Sequence, residues 1–130
     1  MSVTNPASGL PTESQYLQGT LATPATANGA GTSGKAGGYL GSQVLDILEQ
    51  GGGTATVTIM GRTRTTAPWV PVGYQQVDGV TSPVRSVAAI TVAAGSYHVY
   101  QILDPYHDIQ AWVSGVAGGA KLVVCLALWP

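Results

Sequence analysis

From Ser96 to Trp129 apolar and polar positions alternate with a period of two, interrupted twice. Tyr97, Val99 and Leu103 share one side with Gln101, while His98, Tyr100 and Ile102 take the other. Asp104-Pro105 ends this run, because proline fixes φ and removes a backbone donor. Ile109, Ala111 and Val113 then alternate with Asp108, Gln110 and Trp112, and Gly115 to Gly119 predicts a second turn. The closing run differs in kind. Leu122, Val124, Leu126 and Leu128 fall on one side, and Val123, Cys125, Ala127 and Trp129 on the other. Both sides are apolar, so this strand is expected to be covered on both faces or to meet another subunit.

Upstream the same period recurs. Thr54 to Met60 predicts a strand with Ala55, Val57 and Ile59 inward and Thr54, Thr56 and Thr58 outward. Trp69 to Val77 predicts a strand interrupted by Pro71, Asp78-Gly79 a turn, and Val84 to Val92 a further strand. Tyr39 to Leu48 fits a strand or a short helix; Leu45 lies off the helical face and Gly41 is a poor helix former, so a strand is preferred. About seven strands separated by glycine-rich turns predict an all-β fold, an antiparallel β-sandwich of jelly-roll-like type.

Residues 1–38 carry no periodic apolar pattern. Leu10, Tyr16, Leu17 and Leu21 are spaced anchors in a ribbon of small residues. The segment is either a disordered leader or an extended arm lying across neighbouring subunits, and its low charge favours the arm. The division expected is therefore an arm over 1–38 and a sandwich domain over 39–130.

Composition sharpens the expectation of a subunit. Only 8% of the 130 residues are charged and the net charge is −1, against about 25% charged in ordinary soluble domains. Such a surface is poorly hydrated and tends to associate. Five basic residues make no large phosphate-neutralising patch, so nucleic acid is not an expected partner. No apolar run is long enough for a membrane helix, and no basic residue precedes an apolar run at the N-terminus. Self-association is expected through Trp112, Val123 and Trp129.

Candidate chemistry is sparse. Asp104, Tyr106, His107 and Asp108 form the densest polar group, but near-consecutive residues point to opposite sides of an extended chain, and a turn capped by Asp104 explains them better than a metal site. His98 and Cys125 could serve as base and nucleophile, yet Cys125 lies between Val124 and Leu126 with no basic neighbour to activate it. No nucleophile elbow or phosphate loop is present. No catalytic residue, metal or cofactor is expected. Trp69, Tyr74, Tyr97, Tyr100, Tyr106 and Trp112 could instead form a sugar-stacking platform, with core or interface packing as the alternative.

The segments Trp69-Val70-Pro71-Val72, Ile90-Thr91-Val92, Gly95-Ser96-Tyr97 and Ile109-Gln110-Ala111, with Gly118-Gly119 leading into the closing strand, resemble the small virion proteins of tailed bacteriophages. The resemblance implies a β-rich domain that decorates or cements the capsid, commonly as a trimer. It implies the major capsid protein as partner, contacted by the arm through Leu10, Tyr16, Leu17 and Leu21, and a location on the outer surface of the virion. The alternative it leaves open is a carbohydrate- or receptor-binding domain of a tail fibre or spike.

Overall fold

The computed structural model describes residues 15–37 and 42–129, the side chain of Trp129 excepted. All ten elements among these residues are β-strands. They are β1 (Gln15–Gln18), β2 (Gly34–Lys35), β3 (Ser42–Glu49), β4 (Thr54–Arg62), β5 (Val70–Pro71), β6 (Tyr74–Gln76), β7 (Ile90–Val92), β8 (Tyr97–Ile102), β9 (Asp108–Ala117) and β10 (Leu122–Trp129). The first sheet has the order β1-β10-β3-β8-β6. The second runs β2-β9-β4-β5, with β7 also paired to β4. Every strand pairing is antiparallel, and the two sheets enclose one hydrophobic core, so the fold is the expected β-sandwich.

The period-two pattern decides what fills that core. Leu45 and Ile47 of β3, Tyr100 and Ile102 of β8, and Leu122, Val124, Leu126 and Leu128 of β10 point inward from the first sheet. Ala55, Val57 and Ile59 of β4 and Ile109, Ala111 and Val113 of β9 answer from the second. Tyr74 and Tyr100 meet edge to face, with ring centroids 5.6 Å apart and planes at 86°. This arrangement sets the positive edge of one ring against the negative face of the other.

The structure departs from the sequence reading in several places. The run from Trp69 divides into β5 and β6: Pro71 sits on β5 at the edge of the second sheet, where a missing donor is tolerated, and the chain then crosses to pair with β8 in the first sheet. Of the expected 84–92 strand, Ile90–Val92 pairs with β4 as β7, and upstream Ser86 alone bridges Tyr74 of β6, so the run is divided between the two sheets. Val84 and Val87 are exposed instead. Asp104 closes no turn of its own. Its carboxylate accepts the Gly73 N–H at 2.6 Å and pairs with Arg85 at 3.0 Å, tying the loop after β8 to the start of β6. β9 continues through Gly115, where the register shifts opposite Thr54 and Thr56 and the backbone takes φ +60°. A glycine in that region allows a bulge that bends the strand without ending it. The turn itself comes at Gly118 and Gly119.

The largest difference lies in the N-terminal segment. No strand was expected before residue 39, yet β1 adds to the edge of β10 and β2 to the edge of β9. Between them, Ala25 bridges Leu122 and Gly29 bridges Val113. The segment therefore sews the β10 edge of one sheet to the β9 edge of the other. Leu17 is fully buried in the core. At Gly34 an added Cβ would sit 2.8 Å from the Leu17 side chain and 2.9 Å from that of Leu126, so glycine there lets both leucines pack against the backbone, and a larger residue would push them aside.

Glu49, at the end of β3, holds the turns at one end of the sandwich. Its buried carboxylate accepts backbone N–H groups from Gly51 (2.6 Å), Gly52 (2.7 Å), Gly95 (2.8 Å) and Lys121 (2.9 Å). Burial alone would raise this carboxyl; the four donors outweigh it and hold it at about 2.

Candidate interaction face

The outer side of the first sheet is built by the residues that alternate with the core. In register across the strands, Tyr16 of β1 lies beside Cys125 of β10, Cys125 beside Asp46 of β3, and Asp46 beside Val99 of β8. The next row is Val123, Leu48 and Tyr97. Leu21 reaches over from the loop after β1, and together these side chains line a shallow groove of about 190 Å³. Tyr16, Leu21 and Tyr97 are 41%, 63% and 51% exposed. Large apolar groups thus stand in solvent on a sheet whose inner side already supplies the core.

One ionisable carboxyl sits in the middle of this face. Asp46 is half-buried, and loss of water pushes its carboxyl upward, opposed by the Tyr97 hydroxyl at 3.5 Å. Tyr97 is pushed up in turn, first by burial and then by the Asp46 charge.

The fold itself has a solved counterpart. The SPBc2 prophage-derived protein YomS aligns with 91% of this chain, over 93% of its own length, at a TM-score of 0.61 and 9% sequence identity. No protein-family model matches the sequence, and neither does any curated protein.

The residues singled out from sequence are distributed unevenly over this fold. Tyr16, Leu21 and Val123 come together on the outer face of the first sheet, where Val123 is covered by its neighbours. Leu17 points the other way, into the core. Trp112 lies on the outer side of the second sheet, paired in register with Thr58, and so is separated from Val123 by the whole sandwich. Trp129 closes β10 opposite Ser42, and its side chain, like the whole of Leu10, lies outside the described residues.

The polar candidates are occupied with structure. Asp108 is fully buried between Arg62 (2.7 Å), Lys35 (3.0 Å) and His107 (3.1 Å). Burial pushes its carboxyl up, but Arg62 and Lys35 outweigh this and hold it below the usual range. Arg62 also stacks over Trp69, 4.3 Å from the ring centre. The group pins β2 to β9 and β9 to β4. Asp78 accepts the Val99 N–H at 2.7 Å and meets His98 at 3.0 Å, so that ring is held at the bend after β6. His98 and Cys125 stand on opposite sides of the first sheet, since Cys125 aligns with Asp46 and Val99, and His98 is one residue out of that row. Sequence reasoning missed Asp46, Leu48 and Tyr97 as members of the face. The doubly apolar β10 could have found them, because whatever pairs with β10 must share its exposed side.

Proposed function

We propose that this chain is a structural protein of a phage particle, and that it decorates and stabilises the capsid by bridging major capsid protein subunits as a homo-oligomer, a trimer. The observation that carries the reading is the apolar outer face of the first sheet around Tyr16, Leu21, Val123 and Tyr97. Antiparallel sheets ordinarily leave such a face wet and polar. A contiguous apolar patch on a chain with so few charges is a surface for other protein. The prophage origin of a protein with the same fold, YomS, supports the phage setting.

Such a protein works mechanically. Each copy contributes a modest contact, and a closed oligomer converts several modest contacts into high avidity. The seam made by residues 15–37 matters here. It fixes Tyr16 and Leu21 onto the sandwich, so the contact surface is preorganised and little ordering entropy is lost on docking. The reading assigns no role in nucleic-acid binding: Lys35 and Arg62 are committed to Asp108, and Arg85 to Asp104. It also assigns no catalysis, since the carboxylates and histidines described above hold turns and strands.

The test is co-sedimentation of the purified chain with expanded capsids of the major capsid protein of the same phage. Saturable binding in a fixed ratio, with capsids made more resistant to heat, is expected. Capsids that pellet without the chain would refute the decoration role.

A further inference from the structure

The outer side of the second sheet carries a different cavity. It is about 380 Å³ in volume and is lined by Gly29, Ala30, Thr58, Trp112, Val113 and Ser114. From its geometry we propose that this groove binds a neutral saccharide ring, stacked on Trp112. The site is independent of the apolar face of the first sheet, and its existence does not depend on the capsid reading.

Four features argue for this ligand class. The first is a flat ring that is available but fixed. Trp112 is 37% exposed, and its Nε1–H donates to Gln110 Oε1 at 2.7 Å. The Gln110 amide in turn donates to the Gly31 carbonyl at 3.3 Å. The indole is thereby held before any ligand arrives, and little rotamer freedom is left to lose. The second is a rigid opposite wall. Gly29 exchanges two backbone hydrogen bonds with Val113, at 3.0 and 2.8 Å, and its carbonyl also accepts from Gln18 Nε2 at 3.0 Å. Asn28 accepts the Val116 N–H at 3.1 Å, fixing the same loop one residue earlier.

The third feature is the polar complement. Thr58 lies opposite Trp112 in register and Ser114 follows Trp112 on the same outward side of β9, and among the described residues no protein group engages either hydroxyl. A sugar presents an apolar ring face to an aromatic plane and hydroxyls at its rim, which is the division of surface found here. The fourth is charge. Among the described residues no ionisable side chain lines the groove, so a phosphate, carboxylate or ammonium ligand would lose its water without gaining a partner. The volume lies at the lower end of ordinary ligand sites, suited to one or two sugar rings.

The experiment is NMR on the full chain with a panel of neutral sugars: glucose, galactose, N-acetylglucosamine, rhamnose, lactose and maltose, each titrated to millimolar concentration. The Trp112 indole N–H resonance is identified by its loss in Trp112→Phe. At least one sugar is expected to shift that resonance and to receive saturation transfer from the protein. Trp112→Ala should weaken binding of that sugar by about tenfold or more, as loss of a stacking ring does. Thr58→Val keeps shape and strand propensity but removes one hydroxyl, and should weaken it severalfold with the fold intact. The proposal is overturned if no sugar moves the Trp112 resonance. It is equally overturned if the sugar that binds does so undiminished in both variants, which would place the contact elsewhere, or if dilution alone reproduces the shift, which would mean a second copy of the chain covers the ring.

Discussion

The two outer faces of the sandwich obey different rules. On the second sheet Thr54, Thr56 and Thr58 alternate with core residues and present hydroxyls to solvent, with Ser114 beside them. On the first sheet the equivalent positions are Leu48, Val123, Cys125 and Tyr97, with Asp46 alone among them as a carboxylate. The inner faces are alike, so the difference has nothing to do with forming the sandwich. A threonine row is what a strand needs when its outer side stays wet. An apolar row is what it needs when that side is to be covered. On the proposed reading, the association surface lies on the first sheet and the second is left for small polar contacts.

The largest expected effect of a polar group comes from the joint that both sheets share. Glu49 is an acceptor for four backbone donors in turns that lead to either sheet. With its carboxyl at about 2 in the folded chain against an ordinary 4.5, it contributes on the order of 3 kcal/mol. A lowered acid gives stability that is fully present above its unfolded value and lost as pH falls through the folded one. Denaturant melts should therefore show stability falling from pH 4.5 towards 2. Glu49→Gln should be destabilised by a similar amount near neutrality and lose that part of the acid sensitivity, with both faces unchanged in character.

A smaller effect separates the faces directly. Asp46 has a raised carboxyl, and covering the face would remove more of its water. The groups facing it are Tyr16 from β1, Cys125 from β10 and Tyr97 from β8, none of them a cation. Association should tighten as pH falls towards the Asp46 range, because the neutral form is the cheaper one to bury. Sedimentation equilibrium across pH reads this out, and Asp46→Asn should associate more tightly at neutral pH with a flat profile. The smallest effect is the control. Thr56→Lys, on the wet face, should change stability by no more than about 0.5 kcal/mol in thermal melts and leave association alone.

Much of this contrast was legible in the chain. The threonine row of β4 and the doubly apolar β10 stand out by their period alone; the period gives the outward side of the threonines, but for β10 it separates two apolar faces without saying which one meets the core. What could not be read was the destination of residues 15–37. β1 is only four residues long, with polar Gln15 and Gln18 around Tyr16 and Leu17, too short for a period to show. Its partner strand lies at the other end of the sequence, and pairing over that separation leaves no local mark. Leu17 consequently looked like a surface anchor although it belongs to the core. Removing it should cost about 2–5 kcal/mol as Leu17→Ala, so truncation at residue 39 would remove part of the core along with β1 and β2. The separation of Trp112 from Val123 was hidden for a related reason. Both alternate outward, but adjacent runs in the chain, β9 and β10, go to different sheets.

The central claim is that the outer face of the first sheet is covered in the working protein. The most direct test is the solution mass of the full chain by light scattering over a dilution series, beside a Tyr16→Asp, Leu21→Asp double variant. Both positions are exposed, so the variant should fold as before. The account predicts a closed oligomer for the natural chain and a dissociation constant at least about tenfold weaker for the variant. A natural chain that is monomeric and well folded at every concentration, or a variant that associates just as well, would contradict it.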